Sequence, residues 1–145
     1  MIIKYCETYN IDYTITRIFN MYGGNDKFSI ISKIIYAYKE KKILNILNNG
    51  DGIRDFIHID DVVYIILKLI QTRNHKIINI GTGYQRSIKD ILKFLIDNNF
   101  TVKTKNKITN NEIEVSIADT KRVSTIMDRR FLCVEDYILN EIMSS

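Results

Sequence analysis

The sequence predicts an α/β fold, and three observations predict it. Short β-branched or aromatic runs alternate along the chain with segments whose isoleucines and leucines recur at helical spacing. Turn residues such as Gly23-Gly24-Asn25-Asp26 and those of 48–52 separate the two kinds of segment. The 145 residues are 46% hydrophobic and 26% charged, enough apolar content for a core and too much for a disordered chain.

Residues 1–9 read as the end of a helix with Ile2, Tyr5, Cys6 and Tyr9 on one face. Residues 13–19 are β-branched or aromatic at most positions and predict a strand. A helix follows over 29–41, with Ile30, Ile31, Ile34 and Ile35 as its buried stripe. Strands are expected over 44–47 and 53–59, with turn residues between them. Asp60 or Asp61 caps a helix running to about Thr72, because a carboxylate there accepts bonds from free backbone N–H groups. Residues 76–80 read as a strand and 81–83 as a turn. Ser87 opens the next helix, with Asp90 completing a capping-box variant and Ile88, Ile91, Leu92 and Leu95 facing inward. The last third predicts a strand near Val102, another over 113–117, and short helices from Thr120 and Val134.

Composition excludes several classes of function. The longest apolar stretch, 62–70, is broken by Lys68 and is far short of a bilayer span, so no membrane role is expected. No basic-then-apolar leader follows Met1, and Cys6 and Cys133 lack metal-type spacing. Reduced thiols, no metal and a cytoplasmic location are the expectation. A net charge of +4 and a pI near 9.0 raise nucleic-acid binding. The basic residues are nevertheless spread out, the clusters Lys39-Lys41-Lys42 and Lys103-Lys105-Lys107 being short, so a solvated basic surface is the expected reading.

Some residues invite chemistry on their own. Arg54 follows a glycine-bearing turn, where a guanidinium offers a planar, bidentate donor to phosphate oxygens. An ion pair with Asp55, Asp60 or Asp61 is the competing reading. Asn20 lies just past a strand end, where α/β folds gather ligand contacts, or it is a turn residue tolerating an unusual backbone. His58 has no cysteine or second histidine at ligand spacing and reads as a structural histidine bonded to backbone or to a nearby aspartate. His75 falls beside Asn74 in a loop.

Four segments in order carry a resemblance: 17–23 (RIFNMYG), 48–61 (NNGDGIRDFIHIDD), 78–83 (INIGTG) with 87–90 (SIKD), and 116–121 (SIADTK). Together they resemble the C-terminal, substrate-binding part of the NAD-dependent epimerase/dehydratase family, the extended short-chain dehydrogenases that act on nucleotide sugars. The resemblance implies one or two strands of a Rossmann-type sheet plus a small mixed α/β substrate-binding lobe. Residues 1–28 would be the tail of the Rossmann part and 29–145 mostly the lobe. It implies that Arg54 and Asn20 contact the substrate diphosphate and that Leu47 and Asn48 frame the nucleotide base. Glu112 would bond the ribose, and Phe19 would pack near the nicotinamide. The family often has an arginine where this chain has Thr109, and Lys107 is a candidate for the missing charge.

Two family features are missing from the 145 residues. No glycine-rich turn opens a βαβ unit, although such a turn lets backbone reach the cofactor pyrophosphate at a helix N-terminus. The family's Tyr-x-x-x-Lys pair sets a lysine beside a tyrosine so that the phenolate accepts the sugar hydroxyl proton. Tyr38 with Lys42 and Tyr64 with Lys68 match that spacing, but both lie in segments that correspond to other helices, and with nine tyrosines chance matches are expected. The family register places the pair before Met1, so 1–9 reads as the tail of the catalytic helix, and no catalytic residue is expected here.

The resemblance therefore implies the substrate-binding part of an NAD- or NADP-dependent nucleotide-sugar epimerase or dehydratase, truncated or split, and inactive alone. The cofactor would belong to the complete enzyme, with none held by this chain. The alternatives are a stand-alone module for nucleotide sugars or for a separately encoded N-terminal half, and a decayed gene product. The expected partners are UDP-, dTDP- or GDP-linked sugars and, through an uncovered strand edge, other copies of the chain.

Overall fold

A computed structural model describes residues 1–72 and 77–144. Its elements alternate: α1 (Ile2–Thr8), β1 (Ile15–Ile18), β2 (Asn20–Tyr22), α2 (Ile30–Lys39), β3 (Leu44–Leu47), β4 (Ile53–His58) and α3 (Ile59–Thr72). Then come β5 (Ile77–Ile80), β6 (Gln85–Ser87), α4 (Ile88–Asp97), β7 (Thr104–Lys107), β8 (Val115–Ser116) and α5 (Val134–Met143). Asn48–Gly50 and Val123–Thr125 form single 3₁₀ turns.

Strand β4 organises the sheet. Its second half runs parallel to β2, with Asn20 opposite Phe56. Its first half pairs antiparallel with β6, Ile53 opposite Ser87, and on the other edge parallel with β8. Side chains alternate along a strand, so successive β4 residues serve different layers. Phe56 enters a core with Ile31, Ile34 and Ile35 of α2, Leu44 and Ile46 of β3, Ile91 and Leu95 of α4, and Ile138 of α5. Ile57 enters a second core with Val62, Ile65 and Leu69 of α3, Ile78 and Ile80 of β5, and Val123. Arg54 shares the Phe56 face, whereas Asp55 turns the other way and is wholly buried.

Several sequence expectations hold in detail. Ile31, Ile34 and Ile35 of the α2 stripe are buried, with Ile30 half-buried, and the capping box at α4 is formed in both directions, Asp90 N to Ser87 Oγ (3.0 Å) and Ser87 N to Asp90 Oδ2 (3.0 Å). Other expectations need correction. The 13–19 strand is found as β1, which pairs parallel with β5, and is followed by an unexpected strand, β2, which pairs with β4. Strand β1 therefore has a neighbour within the chain, drawn from about 60 residues downstream. The β6 strand, only three residues long, had no alternation to reveal it. Of the α1 face, Cys6 alone is buried; Ile2, Tyr5 and Tyr9 are exposed because no described element packs over them.

Helix α3 begins one residue before Asp60, and the two aspartates have separate tasks. Asp61 is fully buried; its Oδ2 accepts from Leu132 N (2.8 Å) and its Oδ1 faces Arg129 Nη2 at 2.7 Å as an ion pair without hydrogen-bond alignment. It ties the 129–132 segment to α3 instead of capping the helix. His58 behaves as a structural histidine: Nδ1 accepts from Asp60 N (3.2 Å), and the ring packs against Tyr22 and Tyr137. Both cysteines are free thiols, Cys6 buried and Cys133 exposed. His75 and Lys76 lie outside the described residues. No described helix is long and apolar enough to cross a membrane.

Candidate functional site

The site begins with the turn after β3. Asn48, Asn49 and Gly50 all take positive φ (43°, 57° and 75°), a run that asparagine and glycine adopt at least cost. This run turns the chain back so that β4 starts beneath the loop of 109–112. Asn48 clamps that loop: its Nδ2 donates to Thr109 O (2.8 Å) and Glu112 Oε2 (2.9 Å), and its Oδ1 accepts from Thr109 N (2.8 Å). Glu112 Oε1 then pairs with Arg54 Nη2 at 3.0 Å, and Arg54 Nη1 donates to Ile53 O (2.9 Å). Gly52 makes room for this pair, since a Cβ there would sit 2.8 Å from Glu112 Oε1 and 2.9 Å from Arg54 Nη1.

This network forms one wall of an open cavity of about 770 Å³, within the range of small-molecule sites. Asn20, Leu47, Arg54 and Glu112 all line it, and Asn48 braces it from behind through Glu112. A further part of the lining comes from α2. Helical spacing sends Ile31, Ile34 and Ile35 into the core and leaves Ser29, Ile30 and Lys33 on the cavity side. Asn20 donates from Nδ2 to Asp55 O (3.1 Å); it is the first residue of β2 and has no unusual backbone to explain it.

Two expectations about charge are corrected here. Arg54 pairs with Glu112 and not with Asp55, Asp60 or Asp61, because β4 alternation places Asp55 on the opposite face. Lys107 does not line the cavity; it stands exposed on β7, opposite Leu47. Phe19 also lies apart, half-buried where β1 gives way to β2, its N–H bonded to Ile80 O (3.0 Å).

Asp55 is the residue that the sequence reading passed over. Its Oδ1 accepts from Thr82 N (2.8 Å) and Thr82 Oγ1 (2.7 Å), and its Oδ2 from Gly83 N (2.8 Å) and Ala118 N (3.1 Å). One buried carboxylate thus joins β4 to the turn after β5 and to the 116–121 segment. Its neighbours in sequence and space, Arg54 and Asn20, are fixed by the same strand. A carboxylate between arginine and phenylalanine in a strand was the available signal, since burial obliges such a group to find donors.

Tyr22 is part of the cavity lining, whereas Tyr38 and Tyr64 are not. Tyr22 lines it but is buried; burial first, and then the nearby Cys133 and Asp61, push its hydroxyl far above the usual phenol range. Tyr64 donates to Asp128, and Lys68 reaches the same carboxylate at 3.1 Å; none of the three lines the cavity. Tyr38 packs edge-on against Phe100 in the α2–α4 core. Among the described residues no group of three or more potential ligands could hold a metal ion.

The family model for the NAD dependent epimerase/dehydratase family matches residues 1–81. CDP-abequose synthase of Salmonella typhimurium is 31% identical over 96 residues, which is 63% of this chain and 32% of that protein. GDP-6-deoxy-D-talose 4-dehydrogenase of Aggregatibacter actinomycetemcomitans is 34% identical over 86 residues, 58% of this chain and 29% of that protein. The crystal structure of UDP-glucuronic acid 4-epimerase from Bacillus cereus, in complex with UDP-glucuronic acid and NAD, superposes with a TM-score of 0.83 at 26% identity. That superposition covers 97% of this chain and 47% of the other. The chain spans about a third of the length of these curated relatives and about half of the crystallised enzyme.

Proposed function

The chain belongs to the NAD dependent epimerase/dehydratase family, and on that premise we propose that it is the nucleotide-sugar-binding portion of such an enzyme. The observation that carries the reading is the convergence of Asn20, Leu47, Arg54 and Glu112 on one cavity. The relatives named above handle CDP-, GDP- and UDP-linked sugars by name, so the common ligand chemistry is a nucleoside diphosphate joined to a sugar.

In this reading Arg54 meets the diphosphate. Two of its N–H donors are engaged by Glu112 and Ile53, which fixes the plane of the guanidinium and leaves the remaining donors for phosphate oxygens. Asn20 supplies a further donor across the β2–β4 pair. Leu47, exposed at the end of β3, gives the base an apolar surface beside the Asn48 turn. Glu112 offers acceptor capacity for sugar hydroxyls while holding Arg54 in place.

NAD does not fit the residues present. Its pyrophosphate needs a glycine-rich turn opening onto a free helix N-terminus. At the N-terminus of α2, Asp26 accepts from Phe28 N and Ser29 N, and Ser29 Oγ caps the helix by accepting from Ser32 N. That of α4 is closed by its capping box. In this reading the described residues hold the nucleotide sugar, and Phe19 is the one of them expected near a nicotinamide.

A second reading is favoured by the uncovered apolar face of α1 and the outer edge of β1, unpaired among the described residues. The chain would then work as a module docked on a cofactor-binding half. Calorimetric titration with UDP, CDP, GDP and dTDP tests the binding function. At least one should bind the parent and lose most of its affinity in Arg54→Ala; silence from all four at millimolar concentration would refute it.

A further inference from the structure

Four charged residues line the cavity: Lys33, Arg54, Asp26 and Glu112. Arg54 and Glu112 pair with each other at 3.0 Å and cancel. Asp26 keeps its negative charge: burial alone would raise its carboxyl, but bonds from Ser29 N, Ser32 Oγ, Ser29 Oγ and Phe28 N hold it at about 2. Without Lys33 the lining would therefore carry a net negative charge, the wrong sign for a diphosphate. Lys33 itself is exposed on the cavity side of α2 and forms no ion pair among the described residues.

Resting on the binding function proposed above, we infer that Lys33 is the second phosphate-binding cation of this cavity. It supplies from α2 the charge that Thr109 does not supply from the 109–112 loop. Its flexible stem lets the ammonium follow the ligand, while Arg54 provides the fixed, planar contact. Both cations line the one cavity, so a diphosphate bound there would have two positive groups to meet.

Lys33 carries no structural load, which makes the test clean. Lys33→Met keeps the aliphatic stem and a good helix former, and Lys33→Arg keeps the charge. UDP, CDP, GDP and dTDP are each titrated into the parent and both variants, with thermal melts alongside. For the diphosphates that bind the parent, Lys33→Met should weaken affinity about three- to tenfold at low salt. Lys33→Arg should stay within about twofold of the parent, and the gap should shrink as salt screens the contact. Uridine, which has no phosphate, should not distinguish parent from Lys33→Met. A parent that binds a diphosphate while Lys33→Met binds it equally well overturns this inference alone. A parent that binds none of the four removes it together with the function on which it rests. A loss that tracks a lowered melting temperature assigns Lys33 to the fold and overturns it too.

Discussion

Asp55 and Arg54 are adjacent residues on one strand, and alternation gives them opposite work. Asp55 satisfies donors from Thr82, Gly83 and Ala118 in the interior, so losing its charge leaves buried N–H groups without an acceptor. Asp55→Asn, whose amide nitrogen must face one of those donor sets, should destabilise the fold by about 2–3 kcal/mol. Chemical denaturation checks this, and a change below about 0.5 kcal/mol would contradict the role assigned to it. Arg54 stands on the cavity side. Arg54→Lys keeps the charge but loses the planar fork and should weaken diphosphate binding by about 1.5–3 kcal/mol. Asn20→Ala removes a neutral bond and should cost less, about 0.5–1.5 kcal/mol. If calorimetry found Arg54→Lys affecting melting alone, Arg54 would be an architectural ion-pair partner of Glu112 and nothing more.

At the scale of elements, α2 deserves its own test because it forms a cavity wall and its N-terminus is held by Asp26. The folded carboxyl lies at about 2, below its ordinary 3.8, so the folded state favours the ionised form. Its contribution is fully present above about pH 4 and disappears as the pH falls through about 2. Asp26→Asn should therefore melt below the parent at pH 5, and the two should converge near pH 2. A constant gap across that range would show that the carboxylate's charge is irrelevant to the cap. The same helix was legible beforehand, since four isoleucines at helical spacing leave one core-facing solution. Strands β2 and β6 were not, because three residues each are too few for a pattern and their pairing with β4 is a long-range event.

The described residues form two cores, one on either face of β4. The β1–β5 pair has no further strand on either outer edge among the described residues. Ile18 on β1 and the Tyr5–Tyr9 face of α1 are exposed nearby in sequence. Unpaired edges and apolar faces favour association, so the isolated chain should sediment as a dimer or larger species. Placing charge on α1 with Tyr5→Lys and Tyr9→Glu should shift the distribution toward monomer. A parent that stays monomeric at the concentrations NMR requires would rule this out.

The sequence by itself determined the alternation of elements, most of the α2 and α4 stripes and the Ser87–Asp90 cap. Each of those rests on local spacing, whereas the roles of Asn20, Leu47, Asn48, Arg54 and Glu112 were only what the family resemblance implied. Tertiary structure alone decided which charges meet. Glu112 reaches Arg54 from 58 residues away, Asp55 gathers donors from two other segments, and Lys33 instead of Lys107 faces the cavity. The physical reason is that a side chain's electrostatic partner depends on strand face and loop closure. A one-residue change of phase along β4 would exchange Arg54 for Asp55 without altering a single local preference.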